Sequence, residues 1–151
     1  MSQKNAYRYR CRQCGTRNNV PEDKIGKTGK CGKCGGALET ADLLRADPVM
    51  VTDGNFEAEI LKSPLPVLMF SWAPWCPSCG ALAPVVDEFA RDAKGRVRVG
   101  KLNVDPNPQL AARFDIRSVP FMFIFDNGQL RESFPGGGTK QDLMMKMMAY
   151  R

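Results

Sequence analysis

Pro66-Val67-Leu68-Met69-Phe70-Ser71-Trp72 runs without a break into Ala73-Pro74-Trp75-Cys76-Pro77-Ser78-Cys79, and this junction decides the fold. A continuous apolar run of this length reads as a strand buried on both faces, which belongs in a sheet with parallel neighbours and helices on either side. Pro77 suits the first position of a helix, where its missing N–H would have had no intrahelical partner. Cys76 then sits at the N-terminus of that helix, where unpaired amides and the helix dipole favour a thiolate over a thiol. Cys79 lies one turn further along, on the same side.

Outward from the junction, residues 49–51 read as a short strand and 56–61 as a helix opened by a cap at Thr52 or Asp53. The helix begun at Cys76 extends to about residue 93, followed by a strand over 97–103, a short helix over 109–113 and an apolar strand over 120–125. Asp126-Asn127-Gly128 signals a tight hairpin turn into a partner strand over 129–134. Gly136-Gly137-Gly138 leads to a last helix, where Thr139 and Asp142 have capping-box spacing. The order β-α-β-α-β-α-β-β-α predicts a mixed central sheet, helices on both faces and an antiparallel hairpin at the edge. Met144, Met145, Met147 and Met148 have the spacing of a helix face packed on the sheet.

The chain has 151 residues, six cysteines in three Cys-x-x-Cys pairs, and no histidine. Without histidine, Ser/His/Asp and Cys/His nucleophiles drop out, and a metal site must use sulfur or carboxylate. The spacing of Cys76 and Cys79 lets one thiolate attack a substrate disulfide and the other resolve the resulting mixed disulfide. An inert pair or half a metal site is the competing reading. It would need further soft ligands, and the other four cysteines are already grouped near the N-terminus.

Cys11-x-x-Cys14 and Cys31-x-x-Cys34 are separated by sixteen residues, a four-cysteine zinc spacing. Gly15 and Gly35 follow each pair, as a chain folding its amides back onto metal-bound sulfur requires. Iron in the same tetrahedral sulfur set, or two disulfides after oxidation, remain alternatives to zinc. The segment around these pairs has few apolar residues, so a metal is needed to fold it. Its texture predicts a metal-binding module over 1–40, a linker over 41–46 whose Leu43 and Leu44 pack on the second module, and an α/β domain over 47–151. The net charge of +6 lies in the first module, with nine Lys/Arg against three Asp/Glu in residues 1–40 and thirteen of each beyond. Solvated lysines around a thiolate site account for this better than nucleic acid, which is not expected as a partner. Tyr7 and Tyr9 are expected to pack on the ribbon rather than to stack on bases.

Through Trp72-Ala73-Pro74-Trp75-Cys76-x-x-Cys79, Pro84, Lys101-Leu102-Asn103-Val104-Asp105, Val119-Pro120 and Asn127-Gly128, residues 47–151 resemble the thioredoxin family. With the four-cysteine ribbon in front, the whole chain is similar to the bacterial thioredoxin-2 group. The resemblance implies the thioredoxin fold after a zinc ribbon, with Cys76 as nucleophile and Cys79 as resolving thiol. Trp75, Pro77, Ser78, Lys101 and a cis-bonded Pro120 would support the active site, and Trp75, Val119, Pro120 and Gly136 would form a shallow groove for extended substrate. It also implies one zinc on Cys11, Cys14, Cys31 and Cys34, no bound organic cofactor, and reduction by thioredoxin reductase, so that NADPH acts only indirectly. Two departures stand out. The family's Gly-Pro between the cysteines is Pro77-Ser78, and its buried Asp six residues before the first Cys is Phe70, which removes the usual proton route for the resolving thiol.

The leading expectation is a protein-disulfide reductase acting on disulfide-containing proteins as a monomer. A zinc-ribbon module that binds nucleic acid or an acidic protein, with the second domain as a redox-controlled scaffold, is the alternative, and a ribbon whose oxidation expels zinc would join the two. The N-terminus MSQKNAYRYR has no apolar stretch behind it and the apolar runs are too short to span a bilayer, which predicts a cytoplasmic protein without membrane contact.

Overall fold

The computed structural model describes residues 6–150. The first half of the N-terminal stretch MSQKNAYRYR, residues 1–5, lies outside the described residues, as does residue 151. Two small antiparallel hairpins open the chain: β1 (Ala6–Arg10) with β2 (Arg17–Pro21), and β3 (Thr28–Lys30) with β4 (Ala37–Glu39). Gly15 and Gly35 take φ of +77° and +76°, the left-handed region that favours glycine. Their amides donate to Cys11 O and Cys31 O at 2.9 and 3.0 Å and close the two knuckles.

A five-stranded sheet follows, in the order β5 (Val49–Val51), β7 (Arg98–Asn103), β6 (Val67–Trp72), β8 (Phe121–Asp126), β9 (Gln129–Pro135). β5, β7 and β6 are parallel, and β8 and β9 run antiparallel at the other side. Strand period two divides the apolar run of β6 between two cores. Leu68 and Phe70 pack with Leu82, Val86 and Phe89 of α1 (Pro77–Asp92) and with Leu143 and Met147 of α3 (Lys140–Met147). Val67 and Met69 pack on the other face with Phe56, Ile60 and Leu110, the last from α2 (Pro108–Arg113). Each such fully buried side chain contributes about 1.5–3 kcal/mol.

Several local readings take a different form in three dimensions. Residues 56–61 coil more widely than an α-helix: Glu57–Leu61 is π-helical, with Lys62 N donating to Glu57 O at 3.0 Å. Thr52 Oγ1 accepts from Asn55 N at 3.1 Å, while Asp53 turns away to cap α2, accepting from Gln109 N and Leu110 N at 3.3 and 2.9 Å. Thr139 and Asp142 form a full capping box on α3. The methionines divide: Met147 is buried and Met144 packs on the core, but Met145 and Met148 are 71% and 61% exposed, because positions i and i+3 share one helix face. Leu43 is buried whereas Leu44 is exposed. Among the described residues no helix is long and apolar enough to cross a membrane.

The ribbon sits against one end of the sheet. Its core of Tyr9, Cys11, Val20, Cys31 and Leu38 is completed by Leu43 from the connecting turn and Leu65 from the bend just before β6. Arg10 N donates to Pro64 O at 2.9 Å, Arg10 and Arg17 reach Asp126 at 3.4 and 4.0 Å, and the Arg96 guanidinium lies 4.5 Å over the Tyr7 ring. Asp42, between the two units, pairs with Arg12 at 3.0 Å and with the buried Arg98 at 3.1 Å. Burial pushes the Asp42 carboxyl up, but Arg12 and Arg98 outweigh it and hold it below its ordinary value. All these contacts fall at the start of β6 and β7 and the end of α1 and β8.

Candidate active site

The opposite end of the same sheet carries the third cysteine pair. β6 ends at Trp72, a turn follows, and Cys76 takes the extended conformation of an N-cap with Pro77 as the first helical residue of α1. The Cys79 amide, which would otherwise lack a partner in the first helical turn, donates to Cys76 Sγ at 3.2 Å. Cys76 and Cys79 are joined as a disulfide with their Cα atoms 5.3 Å apart. Cys76 is 8% exposed and Cys79 2%, so both are buried and Cys79 is the deeper of the two.

The Val119–Pro120 peptide is cis, and Val119 O lies 3.6 Å from Cys76 Sγ. Gly136 N donates to Pro120 O at 2.9 Å, and a Cβ on Gly136 would come within 2.8 Å of Pro120 Cβ, so only glycine permits this approach. Trp75 is 66% exposed, anchored by its indole N–H donating to Asp105 Oδ1 at 3.2 Å. Trp75, Pro77, Ser78, Val119, Pro120 and Gly136 thus surround or adjoin the cysteine pair.

Lys101 stands apart from this group. It lies opposite Phe70 in the register of β6 and β7, and its Nζ is 2.6 Å from Asp87 Oδ1 of α1. Phe70 fills the core that also holds Cys79, so no carboxylate lies at that position on β6. The Ser78 side chain is exposed, and the hydrogen bond onto Cys76 Sγ comes from the Cys79 amide. Nothing local in the chain marks Asp87 as the partner of Lys101 or Asp105 as the partner of Trp75. Both pairings join residues on separate elements, and only the tertiary contact reveals them.

At the ribbon, the Sγ atoms of Cys11, Cys14, Cys31 and Cys34 all lie within 4.8 Å of one another, with Cys11–Cys34 and Cys14–Cys31 both at 3.6 Å. Four thiolates around zinc at about 2.3 Å have sulfur separations of roughly 3.8 Å, so the set fits that ion. The amides of Gln13, Lys33 and Gly36 donate to Cys11, Cys31 and Cys34 Sγ at 3.4, 3.4 and 3.3 Å, the outer hydrogen bonds that steady a thiolate ligand. Donation from the backbone of Cys34 and Lys33 and from Asn18 pulls the Cys31 thiol down to about 6. The Gly36 amide pulls the Cys34 thiol down, but hydrogen bonding with Cys11, burial and the other two cysteines outweigh it and push the thiol up to about 11.

Residues 47–149 match the family described as Thioredoxin. The chain belongs to the thioredoxin family. Membership implies a thiol-disulfide oxidoreductase. Residues 10–36 of this thioredoxin-family chain match the family described as Thioredoxin 2, N-terminal, a zinc ribbon. The chain is 42% identical to Thioredoxin of Rickettsia bellii (strain RML369-C) over 62% of its own length and 90% of that protein. It is 46% identical to Thioredoxin 1 of Nostoc sp. (strain PCC 7120 / SAG 25.82 / UTEX 2576) over 62% and 87%, and 43% identical to Thioredoxin of Synechocystis sp. (strain ATCC 27184 / PCC 6803 / Kazusa) over 66% and 94%. These alignments span nearly the full relatives but about two thirds of this thioredoxin-family chain, leaving unmatched a stretch as long as the ribbon and its connection.

Proposed function

We propose that this chain reduces disulfides in proteins, with Cys76 as the attacking thiolate and Cys79 as the resolving thiol. The observation that carries this reading is the Cys79 amide donating to Cys76 Sγ at a helix N-terminus, beside a disulfide partner one turn deeper. In the reduced form that amide and the dipole stabilise the Cys76 thiolate. The thiolate attacks one sulfur of a substrate disulfide and expels the other as a thiolate. Cys79 then attacks Cys76 Sγ, releases the second substrate sulfur and closes the Cys76–Cys79 bridge. Two electrons pass to the substrate, and a thioredoxin reductase drawing on NADPH returns them. An extended substrate would lie along Trp75, Val119, Pro120 and Gly136, with the Val119 backbone available to pair with it.

The ribbon, residues 1–40, would hold one zinc on its four cysteines as a folding element, joined through 41–46 to a thioredoxin domain over 47–151. The chain would act as a cytoplasmic monomer. Dithiothreitol-driven insulin precipitation tests the enzyme reading: wild type is expected to accelerate it strongly and a Cys76→Ser/Cys79→Ser variant not at all. Equal rates would leave the ribbon as the functional module.

Phe70 is expected to tune the couple. A helix N-terminus that stabilises the reduced thiolate, with no carboxylate behind it, favours the dithiol over the disulfide. Equilibration with glutathione is expected to give a potential above the roughly −270 mV of thioredoxin. A value at or below it defeats this account of Phe70.

A further inference from the structure

Six of the ribbon's basic residues divide into two sets. Arg10, Arg12 and Arg17 are spent on the rest of the chain, reaching Asp126, Asp42 and the carbonyl of Tyr150. Lys24, Lys27 and Lys30 instead line a cleft of about 330 Å³ between the two hairpins, and among the described residues none of the three forms an ion pair. The floor is apolar, made by the buried Val20 and Leu38.

The walls are strand edges. β1 is backed by the rest of the chain through Arg10 N to Pro64 O, and each hairpin pairs only within itself, β1 with β2 and β3 with β4. β2 and β3 both border the cleft, and among the described residues neither pairs with a strand beyond its own hairpin. Each directs the N–H and C=O of alternate residues outward, where an added strand could meet them. The loop bearing two of the lysines is pinned: buried Thr40 accepts from Gly26 N at 3.0 Å and its hydroxyl lies against the carbonyls of Lys24 and Lys27.

We propose that this cleft takes up an extended acidic segment of a partner protein, which pairs with an open strand edge, seats apolar side chains on Val20 and Leu38, and sets carboxylates against Lys24, Lys27 and Lys30. Two features favour a peptide over nucleic acid. A strand edge recognises a peptide backbone, and no aromatic ring lines the cleft for bases to stack on. Tyr9 is buried and Tyr7 is covered by Arg96. The cleft belongs to the ribbon, which docks at the end of the sheet away from Cys76, so occupancy leaves the dithiol open and the proposal stands independently of the reductase reading.

The test uses the zinc-loaded full chain, titrated with a fluorescein-labelled nine-residue peptide of alternating Val and Glu. Anisotropy is expected to show binding that weakens with salt, and amide shifts are expected at Asn19, Val20, Thr28, Gly29 and Lys30. A Lys24→Gln/Lys27→Gln/Lys30→Gln variant with unchanged zinc content is expected to bind about tenfold more weakly. A peptide of the same charge with proline at alternate positions, unable to pair with an edge, is expected to lose at least as much. The proposal is overturned if the triple variant or the proline peptide binds like the originals, if the shifts map to the redox groove, or if a single-stranded oligonucleotide of equal charge binds more tightly.

Discussion

A Cys79→Ser variant is expected to accumulate as a mixed disulfide with its protein substrate, whereas Cys76→Ser is expected to form no such adduct, and both are expected to lose turnover by on the order of 10³-fold or more. The asymmetry follows from where the two sulfurs lie. Cys76 is at the helix N-cap with its Sγ accepting the Cys79 amide, and Trp75 and the cis-bonded Pro120 border it. Cys79 is buried in the core beside Phe70, where a substrate disulfide cannot reach it before the first exchange. Removing the inner sulfur therefore leaves the first step intact and blocks the second. Non-reducing mass spectrometry with insulin or a scrambled protein substrate reads the adduct directly. An adduct on Cys76→Ser but not on Cys79→Ser would reverse the assigned roles.

Removing zinc is expected to unfold the ribbon and leave the dithiol working. Beyond its cysteines the ribbon buries Tyr9, Val20 and Leu38, and it borrows Leu43 and Leu65 to complete its core. That is too little to order about thirty residues without the roughly 10–16 kcal/mol that a structural zinc supplies. Hydrogen exchange on chelator-treated protein, or on Cys31→Ser, is expected to show protection lost across β1–β4 and retained in β6–β8. Insulin reduction is expected to stay within about twofold of wild type, because β6 alone separates the ribbon from Cys76 by about 20 Å of strand. Native protection in the metal-free ribbon would show that side-chain packing alone folds it. A tenfold loss of reductase activity would show coupling along the sheet.

Features set by local rules were legible in the chain itself. Gly15 and Gly35 follow the cysteine pairs because the knuckle needs a left-handed residue, Asn127-Gly128 turns the hairpin for the same reason, and both take positive φ. Thr139 and Asp142 cap α3 through atoms three residues apart. Pro77 opens α1 because a proline loses nothing at a first helical position. Long-range choices were not legible. Asp53 could have capped the segment it precedes, yet it caps α2, more than fifty residues away. The four methionines share a spacing that fits a buried stripe, but only the packing of α3 on the sheet decides that Met144 and Met147 turn inward while Met145 and Met148 do not.

The sequence by itself determined the order of elements, the two kinds of cysteine site and the missing carboxylate at Phe70, because these follow from period, spacing and residue type along one dimension. Tertiary structure decided how the two sites stand to each other. Asp126, Asp42, Pro64 and Leu65 draw the ribbon to the end of the sheet away from the dithiol. Those contacts join residues up to 116 positions apart, and nothing local in either partner specifies such a pairing. The same docking uses Arg10, Arg12 and Arg17 and leaves Lys24, Lys27 and Lys30 beside two open strand edges, a division that exists only once the chain is folded.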